Sequence, residues 1–175
     1  SLNNLKSLNF FKNIKKEVLI NETNNTKIIN IEVSEKPTGE IMAGAGVGTS
    51  GTTTVFGVKE NNYLGSGVTV DAKAELSTET FRGNLNIRNP NYQNSDKAVF
   101  VNLEATETDR LSDFGYKTKK TGFSLGSNFE YYDDFFLGVA WNSFIEKIET
   151  DSTASTRQQK QKGNYFDNHF WFNIY

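Results

Sequence analysis

A mainly β protein, built around a transmembrane-type barrel sheet of about eight antiparallel strands, is the fold class this sequence predicts. Three observations predict it. Apolar and charged residues alternate with period two over one stretch after another from residue 40 onward. The connections between those stretches alternate between long and compact. Aromatic residues gather near the ends of the stretches: Tyr63, Phe81, Tyr92, Tyr131, Tyr132, Phe144 and Tyr175. Amphipathic rings favour the level of lipid headgroups, so this last pattern reads as an interfacial girdle.

The composition agrees. The 175 residues include 14 Phe and 14 Gly but only 2 Pro, a bias toward many short strands and turns. Mean hydropathy is -0.56, a soluble value, but barrel strands hide their apolar residues by alternation. No apolar run approaches the roughly 18 residues a spanning helix needs. The formal net charge of -2 offers no basic surface for nucleic acid. Cysteine is absent, which excludes disulfides, thiolate metal sites and thiol nucleophiles. The chain starts Ser1-Leu2-Asn3 without a Met or a signal peptide, as expected for a piece of a longer protein.

Residues 1–14 read as the end of a helix, with Leu2, Leu5, Leu8 and Phe11 on one stripe. Asn9 suits the left-handed conformation that closes a helix. Val18–Ile20 and Lys27–Ser34 read as two strands, the second with Ile29, Ile31 and Val33 on one face. The polar turn between them, 21–26, carries two glycosylation sequons, better read as turn composition. Lys36-Pro37-Thr38-Gly39 is the clearest boundary.

Beyond it, Ile41–Gly48 and Val55–Lys59 read as two strands. Val68, Val70, Ala72, Ala74 and Leu76 alternate with Thr69, Asp71, Lys73 and Glu75. Phe81, Gly83, Leu85 and Ile87 alternate with Arg82, Asn84, Asn86 and Arg88. Val99, Val101, Leu103 and Ala105 alternate with Phe100, Asn102, Glu104 and Thr106. Phe123 and Leu125 continue the series, then Phe135, Leu137, Val139 and Trp141, and last Phe166, Phe170, Phe172 and Ile174. Such alternation means one apolar and one wet face. A half-buried soluble sheet would alternate too, so the connections decide. Compact turns are expected at 61–67 and 131–134, and long loops at 107–120 and 149–163. That asymmetry is the one that outer-membrane barrels show. Asp71, Lys73, Glu75, Arg82, Arg88 and Glu104 should then face the lumen, because a charge facing lipid costs roughly 2–4 kcal/mol at mid-bilayer.

Several stretches resemble the BamA-type outer-membrane assembly family. Leu5-Lys6-Ser7-Leu8-Asn9-Phe10-Phe11 resembles the end of the second helix of a POTRA domain. Ile29–Lys36 resembles that domain's closing strand, and Pro37–Glu40 the join into the barrel. Gly44-Ala45-Gly46-Val47-Gly48-Thr49 resembles the glycine-rich first barrel strand. Glu60–Gly67, with Asn62, Leu64, Gly65 and Gly67, resembles the turn after strand two. Asn89-Pro90-Asn91-Tyr92 resembles the turn after strand four. The resemblance makes residues 1–37 the C-terminal part of the last α+β POTRA domain. It makes residues 38–175 the N-terminal portion, about the first half, of the barrel.

It also implies a function: folding and inserting β-barrel proteins in the outer membrane, with the N-terminal part in the periplasm. The implied partners are unfolded outer-membrane proteins, periplasmic accessory lipoproteins and chaperones, and outer-membrane lipid. Neither cofactor nor metal is implied. Met42, Gly44, Ala45, Gly46, Val47 and Gly48 are the expected lateral-gate strand, because glycines weaken pairing and packing and a weak edge can template an incoming strand. The alternatives are a TamA-like or two-partner-secretion POTRA-barrel translocator, a small eight-stranded structural or binding barrel, and a soluble β-sandwich.

Other candidate sites are weaker. Gly46-Val47-Gly48-Thr49-Ser50-Gly51, with Asp71 downstream, spells a dinucleotide fingerprint. That motif must open a helix, whereas Thr52-Thr53-Thr54-Val55-Phe56 suits a strand. His169, the only histidine, reads as a lumen residue. Asp133-Asp134 reads as a solvated turn. Glu107, Asp109 and Asp113 read as a solvated acidic loop, and Arg157, Lys160 and Lys162 as a solvated basic one, with contact to anionic lipopolysaccharide as the alternative. No Ser or Thr has a credible base partner, so no enzyme is expected.

Overall fold

The computed structural model describes residue 6 and residues 8–21, 26–48 and 51–174. The chain forms two compact units, Ser1–Thr38 and Gly39–Tyr175.

In the first unit, β1 (Phe11–Asn21) pairs antiparallel with β2 (Thr26–Glu35). Val18 lies opposite Ile29 and Ile14 opposite Val33, so β-branched residues share one face. Lys15 and Glu32 stand opposite each other on the other. Asn9 adopts the expected left-handed conformation, with φ 57°, and its side chain accepts a hydrogen bond from Lys36 Nζ at 2.7 Å. Leu2 and Leu5 of the expected helical stripe lie outside the described residues, and Phe11, expected on that stripe, and Ile14, the expected helix end, lie in β1. Asn9 turns the chain first, and Phe10–Phe11 leads into the strand. The sequons' residues 22–25 lie outside the described residues.

The second unit is one eight-stranded antiparallel sheet in chain order. Its strands are β3 (Gly39–Gly48), β4 (Gly51–Tyr63), β5 (Val68–Ser77), β6 (Thr80–Asn89), β7 (Lys97–Arg110), β8 (Tyr116–Tyr132), β9 (Phe135–Thr150) and β10 (Gly163–Ile174). Every neighbour is joined by a hairpin, and β3 and β10 stand at opposite edges. Gly46 and Gly48 therefore end one strand of a hairpin, and no helix follows them, which disposes of the dinucleotide reading.

Register sorts the two faces into rows. Val58, Ala72, Leu85, Leu103 and Phe123 lie side by side across β4–β8. Val70, Ile87, Val101, Leu125, Trp141 and Phe170 form the next row but one. The opposite face carries Lys73, Asn84 and Glu104 in one row and Asp71, Asn86 and Asn102 in another. There Asn84 donates to Asn102 at 2.7 Å, and Arg82 pairs with Glu75 at 3.0 Å. His169 also lies on this face, level with Asn142.

The polar face is the more crowded one in β8 and β9. A Cβ on Gly122 would strike the Phe144 ring, and one on Gly126 would strike the Phe100 ring. Phe144 is thus buried, with Lys120 Nζ 4.2 Å from its ring centroid, and does not join the girdle. Tyr63, Tyr92, Tyr131 and Tyr132 are exposed near strand ends as expected. Tyr175 lies outside the described residues.

The expected loop 107–120 is mostly strand. Chain pairing continues to Arg110, a one-turn helix spans Leu111–Phe114, and β8 begins at Tyr116. The charges misled because they keep the strand period: Glu107 faces Lys119 and Asp109 faces Lys117 across the pair. Gly115 makes the reversal at φ 69°, where a Cβ would strike the Ala154 backbone. Connection lengths are less asymmetric than expected. On the side of that reversal, the 78–79 connection is as short as the turn at 133–134 on the other. The asymmetry rests on the 151–162 connection and on the length of β7, β8 and β9, at 14, 17 and 16 residues.

Candidate functional site

The glycine-rich strand β3 is the first candidate. It pairs with β4 along its whole length, from Gly39 opposite Glu60 to Gly48 opposite Gly51. Among the described residues no strand lies on its other side. Met42, Gly44, Gly46 and Gly48 share the polar face, while Ile41, Ala43, Ala45 and Val47 share the apolar one. Ile41 and Val47 are 87% and 88% exposed.

The glycines of β3 differ from those of β8. Gly122 and Gly126 are required by aromatic rings that occupy the space a side chain would take. A Cβ on Gly44, Gly46 or Gly48 would meet nothing within 4 Å. Close packing among the described residues therefore does not explain them. Their effect is on the strand itself: each glycine in a strand interior costs about 0.5–1 kcal/mol relative to alanine. The outer edge of β3 offers main-chain donors and acceptors with little side-chain packing behind them. The other edge, β10, is the opposite: Phe166, Phe170 and Phe172 offer large apolar surface.

The turn residues have local roles. Asn62 Oδ1 accepts from Gly67 N at 2.7 Å. Leu64, Gly65 and Gly67 all have positive φ, at 52°, 72° and 71°, which is where glycine is favoured. After β6, Asn89 Oδ1 accepts from Asn91 N at 3.0 Å, and Pro90 opens the turn. These residues shape hairpins.

The apolar face is bounded. On β9 its residues run from Leu137 to Ile145. Eight residue steps at about 3.4 Å make about 27 Å along the strand. A tilt of roughly 35–45° reduces that to about 21 Å, near the roughly 25 Å apolar band of outer-membrane barrels.

Just beyond the band, on the same face, stands a ladder of charges that sequence reasoning missed. Glu107, Lys119 and Lys147 form one row; Asp109, Lys117 and Glu149 form the next. Lys117 Nζ donates to Glu107 at 2.7 Å and to Asp109 at 2.8 Å, and Lys147 pairs with Glu149. The signal was available: Glu107-x-Asp109, Lys117-x-Lys119 and Lys147-x-Glu149 repeat with the strand period. Glu107 and Asp109 are thus ion-paired strand residues, while Asp113 lies in the one-turn helix Leu111–Phe114, and among the described residues no cluster of His, Asp and Glu could hold a metal.

The connection 151–162 is braced. Asp151 Oδ1 accepts from Thr153 Oγ1 at 2.6 Å and from Thr153 N at 2.7 Å. These donors, the hydroxyl first, hold the Asp151 carboxyl below its ordinary range. The brace is therefore complete above that range and is lost as pH falls through the lowered value. Ser155 and Gln158 form a capping box on the one-turn helix Thr156–Lys160, which carries Arg157 and Lys160.

An antiparallel sheet in chain order, apolar on one face, polar on the other and open at both edges, has the architecture of part of a transmembrane β-barrel. The barrel it resembles is that of BamA. A crystal structure of BamA from Haemophilus ducreyi lacking POTRA domains 1-3 matches with a TM-score of 0.73 at 19% identity. The match covers 98% of this chain and 35% of that one, so the chain spans about a third of the length of the solved protein. No family model matches the chain.

Proposed function

We propose that this chain is part of an outer-membrane protein assembly factor, and that β3 is the edge on which an incoming strand pairs. The observation that carries the reading is the β3 edge itself: exposed, without a second partner strand among the described residues, and carrying three glycines that nothing crowds. Such an edge offers main-chain hydrogen bonds to any strand that can lie beside it. Its weak packing lets one partner be exchanged for another. No cofactor or covalent step is needed. In this reading the substrates are unfolded outer-membrane proteins, delivered by periplasmic chaperones and helped by accessory lipoproteins. Residues 1–37 lie in the periplasm as the end of a POTRA domain. A small self-contained barrel is less well supported, because β3 and β10 would have to pair and instead stand at opposite edges.

The experiment is a substitution that strengthens the edge. Because a Cβ at Gly44 or Gly46 has open space, Gly44→Val with Gly46→Val in the full-length protein should leave the barrel folded. It should slow assembly of newly made outer-membrane proteins several-fold in pulse-labelled cells. Normal assembly kinetics with a folded double variant would remove β3 from the mechanism.

Orientation has its own test. The connection after β9 should lie at the cell surface and the turn after β4 in the periplasm. A cysteine at Ser152 should label on intact cells with an impermeant reagent, and one at Ser66 should not. Ser152 is preferred to Ser155, whose hydroxyl caps the helix. The reverse labelling pattern would invert the topology.

A further inference from the structure

We infer that the charged ladder at the end of the apolar band binds the anionic phosphate of a membrane lipid headgroup, held between Lys119 and Lys147. The inference rests on the reading that the apolar face meets lipid, and on nothing concerning assembly.

Lys119 and Lys147 are directly opposite each other in the β8–β9 register, and both share the apolar face with Thr121 and Ile145. Like charges placed directly opposite are unfavourable in a sheet, unless something negative lies between them. The carboxylates nearby are already engaged. Lys117 takes Glu107 at 2.7 Å and Asp109 at 2.8 Å, leaving Lys119 only a 3.8 Å approach to Glu107. Lys147 holds Glu149, and Lys162 lies within electrostatic reach of the same carboxylate. Four ammonium groups thus face three carboxylates, and the surplus is positive. The Lys119 and Lys147 side chains remain 60% and 55% exposed, so their remaining donors are available.

The location selects the source of the anion. One step toward the sheet centre from Lys147 is Ile145, which pairs with Phe166, and Phe81 flanks Glu107. An acyl chain lying on Ile145 and Phe166 places its headgroup phosphate level with the two lysines. A free phosphate has no use for that apolar surface. Glu107 competes with the ligand for Lys119, which gives the site a testable sign.

The test uses the full-length protein folded into phosphatidylcholine vesicles containing phosphatidylglycerol or lipopolysaccharide, with retained lipid counted by native mass spectrometry. Lys119→Gln with Lys147→Gln should lower retention of the anionic lipid at least fivefold. Lys119→Arg with Lys147→Arg should preserve it, and Glu107→Gln should raise it. Millimolar inorganic phosphate should not displace the lipid. Unchanged retention in the glutamine variant, or reduced retention in Glu107→Gln, overturns the site. Displacement by inorganic phosphate overturns the lipid assignment. Heat-modifiable mobility reports folding of each variant; if the glutamine pair does not fold, Lys147→Gln alone and Glu107→Gln carry the same opposed signs. Failure of the unsubstituted protein to insert into pure phosphatidylcholine vesicles would instead contradict the lipid-facing reading.

Discussion

Leu103→Arg in the full-length protein is expected to destabilise the inserted barrel by about 2–4 kcal/mol, the cost of an arginine near the bilayer midplane. Leu103 lies in the row Ala72, Leu85, Leu103 and Phe123, about the middle of the apolar band, and it is 45% exposed. In lipid that exposed surface is solvated by acyl chains, so a guanidinium there has no water to hold it. Asn102→Arg is the matched control, one residue earlier on the same strand. Asn102 shares the polar face with Asp71 and Asn86, so its replacement should cost less than about 1 kcal/mol. Urea titration of protein folded into liposomes measures both. A loss of 3 kcal/mol lowers the folded-to-unfolded ratio about 150-fold, large enough that the inserted fraction should fall visibly without titration. Similar losses at the two positions would mean that the faces are not in different solvents.

Much of the sheet was legible because period two survives in this sequence almost without interruption. Val99 to Ala105 and Phe135 to Trp141 alternate as they pair, and the eight strands of the second unit appear in the order and number expected. The boundary at Lys36–Gly39 was readable from Pro37 and Gly39, next to where the two units divide. Two misreadings share one cause. Residues 107–120 and Phe11–Ile14 mislead when read by residue type instead of by period: charges suggest a loop, and spaced apolar residues a helix. In the first case the charges alternate as a ladder; in the second Asn9 ends the helical turn and the backbone extends. Phe144 misleads for a different reason. Its aromatic character says nothing about which face it occupies, and only the register with Gly122 shows it buried on the polar side. The glycines of β3 stand out in the sequence, but their meaning is not readable there. Gly122 and Gly44 look alike as letters. One is needed for a ring and the other is crowded by nothing.

Site-specific cross-linking from β3 tests the central claim most directly. Photoreactive residues at Met42, Ala45 and Val47 sample both faces of the strand, and Val47 is among the most exposed apolar residues of the chain. An exposed strand edge is a template for another strand, and an assembly role requires that newly made outer-membrane proteins occupy it in passing. With the full-length protein in growing cells, the expected result is adducts to outer-membrane proteins under assembly. The adducts should depend on the client's final strand and disappear when synthesis of new protein stops. Equivalent probes on the apolar face of β7, at Val99 and Val101, should not give them. Adducts confined to the protein itself at all three β3 positions, while outer-membrane proteins continue to assemble normally, would contradict the account.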